Sequence, residues 1–272
     1  MTGTPTARID LITVVGIAAV VYVVSTLGHE GLGHGGMCMA LGQKPLVWGA
    51  YYFECADERA APWVWRAVAA AGSTVNLIIM IIAFLLLKAD LSGASTKPRG
   101  AGTVFLWLMF ALNGFEWAGY YCFSGVADIG DWADHDLGVL QGLPYALPAR
   151  AIMAVAGGLC YFLIGRTAGR LLGRIMGGDR RAGMKLAWTA YVTGAVVAIS
   201  IGFMNPVGIV IVLVSSAASS LGGTSGFLWQ HRFMQAGAET GFALRRSHGW
   251  LAAGLIAATA YAVVFGHSLK FA

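Results

Sequence analysis

Apolar residues along this chain fall in long blocks, without the strict alternation of a strand or the one-sided stripe of a surface helix. Seven blocks approach or reach the roughly 17 to 25 residues that a helix needs to cross a hydrocarbon core. They cover residues 10–32, 63–87, 103–123, 149–172, 186–203, 206–223 and 249–266. Short polar connections separate them. The pattern predicts an all-α, polytopic helical membrane protein of about seven transmembrane helices. The fifth and sixth blocks meet at Met204, Asn205 and Pro206, where a single long broken helix is the alternative. The first block is longer than a usual signal-peptide core and runs into Gly28 without a small-residue cleavage site, so it is expected to stay as a helix.

Composition agrees with this pattern. Of the 272 residues, 57% are hydrophobic and 11% charged, against about 25% charged in soluble domains; the mean hydropathy is +0.69. The net charge of +5 is distributed as a topology signal, because Lys and Arg gather on the cytoplasmic side. With the N-terminus and Arg8 inside, the cytoplasmic connections carry Lys88, Lys97 and Arg99; then Arg166, Arg170, Arg174, Arg180, Arg181 and Lys185; then Arg232, Arg245 and Arg246. The opposite connections hold Glu54, Asp57, Glu58 and Arg59, and then Asp128, Asp131, Asp134 and Asp136. Attraction to anionic membrane lipids follows from this distribution, and nothing else in the chain supports a nucleic-acid partner.

No internal repeat, low-complexity tract or long linker divides the chain, so residues 1–272 read as a single transmembrane domain. Residues 1–140 carry the candidate chemistry and residues 141–272 add further helices. The cysteines, Cys38, Cys55, Cys122 and Cys160, show no CxxC spacing. Buried free thiols are expected, with a Cys38–Cys55 disulfide as the alternative on an oxidising side.

The first apolar block ends in Gly28-His29-Glu30-Gly31-Leu32-Gly33-His34-Gly35. Ionisable groups at membrane depth are costly and usually functional. Two imidazoles with a glutamate suggest zinc, with the carboxylate as general base toward a metal-bound water. In the HExxH pattern the histidines are four apart and share a helix face. Here they are five apart, which on a regular α-helix sets the rings roughly 140° from each other. A π-bulge would restore one face, and Gly31 and Gly33 supply permissive backbone for it. The other pairing, Glu30 with His34, needs no distortion but makes Glu30 a ligand.

This segment resembles the site-2 protease family of membrane-embedded zinc metalloproteases, whose HELGH motif is matched with one residue inserted. Ala71-Gly72-Ser73-Thr74-Val75-Asn76-Leu77 is similar to that family's GPxxN segment, with Ser73 at the proline position. Ala127-Asp128-Ile129-Gly130-Asp131-Trp132 stands where the family places its LDG aspartate. The resemblance implies zinc held by His29, His34 and an aspartate, with Glu30 catalytic and a transmembrane protein as substrate.

The first and third helices run in the same direction, so His34 and the loop after Cys122 emerge on one face and can meet. Asp131, flanked by Gly130 and Trp132, is preferred to Asp128 as third ligand. Asn76 is a candidate for holding substrate or a ligand. Asn113 and Glu116 are spaced to share a face, and Glu116 could steady a ligating histidine. His135, His231, His248 and His267 are expected in loops or at helix ends.

Two other functions compete. Met37, Cys38 and Met39 after the histidines would suit copper in a non-hydrolytic metal-binding protein. The small-residue spacing of Gly165, Gly169 and Gly173 would suit a transporter or an accessory subunit packed in a homo- or hetero-oligomer. The expected location is a membrane of bacterial inner type, with the metal site toward the outer face.

Overall fold

A computed structural model describes residues 7–56, 59–92, 100–209, 218, 221–235 and 242–271. Most of them are helical. Helix α1 (Leu11–Leu27) begins where Asp10 caps it, the carboxylate accepting the Thr13 N–H at 2.8 Å and so satisfying one of the orphan donors of the first turn. It continues through a π-helical stretch, Gly28–Gly35, into α2 (Gly36–Ala40). Helix α3 (Pro62–Ser92) opens on a proline, whose missing N–H costs nothing at that position. Helix α4 (Ala101–Ala127) stops where Asp128 takes left-handed backbone with φ 56°. Helices α5 (Ala146–Ile175), α6 (Arg180–Gly202) and α7 (His248–Phe265) follow.

Five of these helical rods, Leu11–Ala40 together with α3, α5, α6 and α7, are long and apolar enough to cross a membrane. The sequence pattern suggested seven, and the difference has two sources. Helix α4 has the length but carries Asn113 and Glu116, and it is enclosed by the rest of the protein. Trp107, Leu108, Ala111, Leu112, Asn113 and Phe115 are each at most 1% exposed. Its polar groups therefore face other helices, which can satisfy them, and not hydrocarbon. The expected sixth span, 206–223, lies largely outside the described residues. The residues after it form two 3-10 turns, Ser225–Leu228 and Gln230–Phe233.

These turns pack on α5. Gly165 abuts the Trp229 ring, Gly169 the Gln230 backbone, and Gly173 Met234 and Gln235. The small-residue face expected to join helices is thus covered by this chain's own segment. One apolar core draws on both halves of the sequence, from Val14 through Leu112 and Leu172 to Phe227 and Leu244. Outward faces of α3, α5 and α7 carry large apolar side chains, among them Ile82, Leu85, Val155, Leu159 and Leu255.

Short strands close the two ends of the bundle. At one end β1 (Arg8–Ile9) pairs in parallel with β4 (Ala243–Leu244), and Arg246 Nε lies 2.9 Å from Asp10 Oδ2. At the other, β2 (Pro45–Trp48) is flanked by β3 (Phe53–Cys55) and β5 (Leu269–Lys270), both antiparallel to it. Helices α1 and α7 therefore run side by side in the same direction. A Cys38–Cys55 disulfide ties α2 to β3, correcting the expectation of free thiols there. Cys122 and Cys160 are free.

Candidate metal centre

The π-helical stretch covers the two histidines and accounts for their spacing. Its i→i+5 hydrogen bonds add one residue to the turn, so side chains five apart return to one face. His29 Nε2 and His34 Nε2 stand 3.2 Å apart. Gly31 and Gly33 serve a different purpose from the one their flexibility suggested, since neither has a positive φ. A Cβ on Gly31 would strike the Trp48 ring, and one on Gly33 would lie 2.6 Å from Gly72 Cα. Close approach of β2 and α3, and not backbone freedom, requires glycine at both places.

Asp131 completes the group. Its Oδ2 is 3.5 Å from His29 Nε2 and 3.3 Å from His34 Nε2. Among the described residues these three are a set of His, Cys, Asp or Glu able to hold an ion together. The loop that carries Asp131 is pinned by Trp132, whose indole N–H donates to Ser73 Oγ at 3.0 Å. Burial alone would raise the Asp131 carboxyl, but the His34 and His29 rings hold it below the usual carboxylate range.

The outer ring nitrogens decide what the inner ones present. His34 Nδ1 lies 2.8 Å from the Val68 carbonyl oxygen, which can only accept. His29 Nδ1 lies 3.2 Å from Asn76 Oδ1, and Asn76 Nδ2 donates to Glu116 Oε2 at 2.9 Å, which turns the amide oxygen toward the ring. In the neutral tautomers this network selects, both Nδ1 atoms donate and both Nε2 atoms carry lone pairs. With both rings in that form, two lone pairs and a carboxylate oxygen converge on one space, an arrangement that takes up a cation, whether a proton on a ring nitrogen beside Asp131 or a metal ion. Ligands at the usual zinc distances of about 2.0–2.2 Å, set tetrahedrally, stand roughly 3.3 Å apart, in agreement with the three separations here.

Gly72 leaves the room. A Cβ at this position would lie 2.5 Å from His34 Nε2 and 2.6 Å from His29 Nε2, so the α3 backbone forms one wall of the space between the donors. Glu30 is 7% exposed, and its Oε2 has no hydrogen-bond partner among the described residues. It lines, with His29, Asn76, Glu116 and Tyr120, a cavity of about 510 Å³.

Not every candidate reaches this group. Asp128 is engaged elsewhere: Oδ2 lies 2.7 Å from Arg150 Nη1 and Oδ1 accepts the Asp134 N–H at 2.9 Å, so it shapes the loop. Asn113 ties α4 to α1, donating to Ser25 Oγ at 2.9 Å. It and Glu116 are three positions and about 60° apart on the helix, enough for one to look at α1 and the other at α3. Cys38, held in its disulfide, offers no thiolate to a copper site. His135 lies in the loop after α4, bonded to Asp136 and to the Asp128 carbonyl.

Tyr120 and the Val68 carbonyl escaped the sequence reading, and Gly72 entered it only as part of the segment similar to GPxxN. Tyr120 had a usable signal, standing four positions after Glu116 and hence on the same face of α4; its ring centre is 5.7 Å from that of His29. The chain matches no protein-family model, no curated protein and no solved structure.

The two aspartates can be separated by experiment. Asp131→Asn should weaken zinc binding by more than the about 10–100-fold that loss of an outer hydrogen-bond partner costs. Asp128→Asn should keep the metal and lower thermal stability, since it leaves Arg150 without its counter-charge. Isothermal titration with zinc and melting curves of both variants check this, and retention of zinc by Asp131→Asn would remove it from the ligand set.

Proposed function

We propose that this chain is a membrane metallohydrolase, an intramembrane zinc metalloprotease that cleaves peptide bonds of transmembrane substrates. It crosses the membrane seven times in this reading, with the basic β1–β4 end cytoplasmic and the metal centre toward the outer face. The observation that carries the reading is the meeting of His29 Nε2, His34 Nε2 and Asp131 Oδ2 within 3.2–3.5 Å, beside a buried carboxylate with an oxygen unpartnered among the described residues. Two imidazoles and one carboxylate leave a fourth position open, the composition of a catalytic zinc site as opposed to a closed structural one.

Zinc, when bound, would acidify a water and polarise the substrate carbonyl. The chain's own groups do the rest. Glu30 Oε2 takes the proton from the attacking water and delivers it to the departing amine. Asn76 and the Val68 carbonyl hold the two rings in the ligating tautomer, as outer partners of metal-bound histidines commonly do. The interior placement of Asn76, Glu116 and the histidines of the π-helical stretch provides polar surface where a substrate helix must open its own backbone hydrogen bonds.

The test uses full-length protein reconstituted in phosphatidylethanolamine–phosphatidylglycerol vesicles with synthetic transmembrane peptides. The expected outcome is about one zinc per chain, and cleavage that stops on treatment with 1,10-phenanthroline and returns with added zinc. Protein without zinc, or cleavage indifferent to chelation, overturns the reading.

A further inference from the structure

The cavity beside the metal centre extends well beyond it, and its far wall comes from the half of the chain that carried no sequence signal. Gly158 and Tyr161 of α5, with Gly222, Gly223 and Ser225, line it together with His29 and Glu30. Glycine usually stands where backbone needs a positive φ or where another chain segment comes too close for a Cβ. Neither reason applies here. None of the three glycines has a positive φ. Among the described residues, a Cβ on Gly222 or Gly223 would meet nothing within 4 Å, and one on Gly158 would meet only Cys122 Sγ at 3.9 Å. By contrast Gly119, close by on α4, would meet Gly223 Cα at 3.3 Å, so its smallness is explained by packing.

The open glycines border a partly open cavity that Tyr161, Phe123 and Glu30 also line. Glu30 is buried on this same cavity, and its Oε2 has no hydrogen-bond partner among the described residues. Its walls are mostly apolar, apart from the groups near the metal centre.

We propose that Gly158, Gly222 and Gly223 form a side-chain pocket that selects substrates bearing a large apolar residue, of the Leu or Phe class, next to the bond that is cut. This rests on the peptidase reading above. Their lack of side chains sets specificity: the pocket gains affinity by burying an apolar group of the substrate, and a bulky residue in the wall would occupy the same volume. Transmembrane helices are rich in such side chains, and a helix entering from the lipid presents them before its backbone.

The experiment separates this inference from the reading beneath it by measuring binding apart from cleavage. Zinc-loaded Glu30→Gln protein in the same vesicles is titrated with two fluorescent transmembrane peptides that differ only in carrying Phe or Ala at the central position. The Phe peptide should bind about tenfold tighter or better, in keeping with discrimination of about 10- to 200-fold for a single methylene in an apolar pocket. Adding Gly223→Leu, or in a separate protein Gly158→Leu, should reduce the preference to less than twofold while zinc content stays at the parent value.

A preference that survives both substitutions overturns the pocket, as does equal binding of the two peptides by the parent. Loss of zinc in both leucine variants does so too, because the glycines would then serve the metal centre's packing. Failure of the protease reading shows elsewhere, as absence of zinc-dependent cleavage by the wild-type protein whatever the binding result.

Discussion

Glu30→Gln is expected to lower peptide cleavage by about 10²–10⁴-fold, the range a positioned general base contributes, and to leave zinc at its wild-type stoichiometry. Gln matches Glu in shape but cannot take up a proton, so the substitution removes chemistry and keeps packing. The structure gives a reason to expect the two readouts to part. The donor atoms that converge belong to His29, His34 and Asp131, whereas Glu30 Oε2 stands unpartnered among the described residues. Elemental analysis of the purified variant, alongside the cleavage assay, decides the matter. If zinc falls with activity, Glu30 is a ligand paired with His34 four positions on, and the role of base passes to another group.

Gly72→Ala is expected to remove nearly all zinc binding. The added methyl would sit about 2.5 Å from both ring nitrogens, well inside the normal carbon contact of about 3.5–4.0 Å, and in the space an ion must share with them. Helix α3 cannot back away cheaply, because Gly33 already holds the π stretch close against Gly72. Zinc is expected to fall below a tenth of the wild-type content while the helical circular dichroism is retained. Gly102→Ala is the control: a Cβ there meets nothing within 4 Å and Ala favours the helix by up to about 1 kcal/mol, so it should keep its zinc. A Gly72→Ala protein that binds zinc normally would sink the three-residue site.

Much of the centre could be read from the sequence because its logic is local. The five-position spacing of His29 and His34 dictates a distorted helix if both bind one ion, and a π stretch occupies Gly28–Gly35. Parallel first and third helices bring the α4 loop to the same end, and Asp131 lies there against both rings. What the sequence hid is set by contacts between distant segments. Asp128 and Asp131 differ because Arg150, on another helix, claims one of them. Helix α4 reads as one more span, yet its burial by the other helices is what lets Glu116 bond Asn76. The apolar block 206–223 lies largely outside the described residues.

The sheet above the π stretch draws its strands from opposite regions of the chain. Val47 and Trp48 of β2 pair with Lys270 and Leu269 of β5, and the Trp48 ring rests over Gly31. Synthesis and folding proceed from the N-terminal side, so the histidines, Asn76, Glu116 and Asp131 all emerge before the strand that completes this roof. The enclosure of the centre thus waits until α7 has taken its place beside α1. A newborn chain carries the donor atoms early but acquires their finished shelter last, so the cluster is closed over only once the molecule around it is assembled.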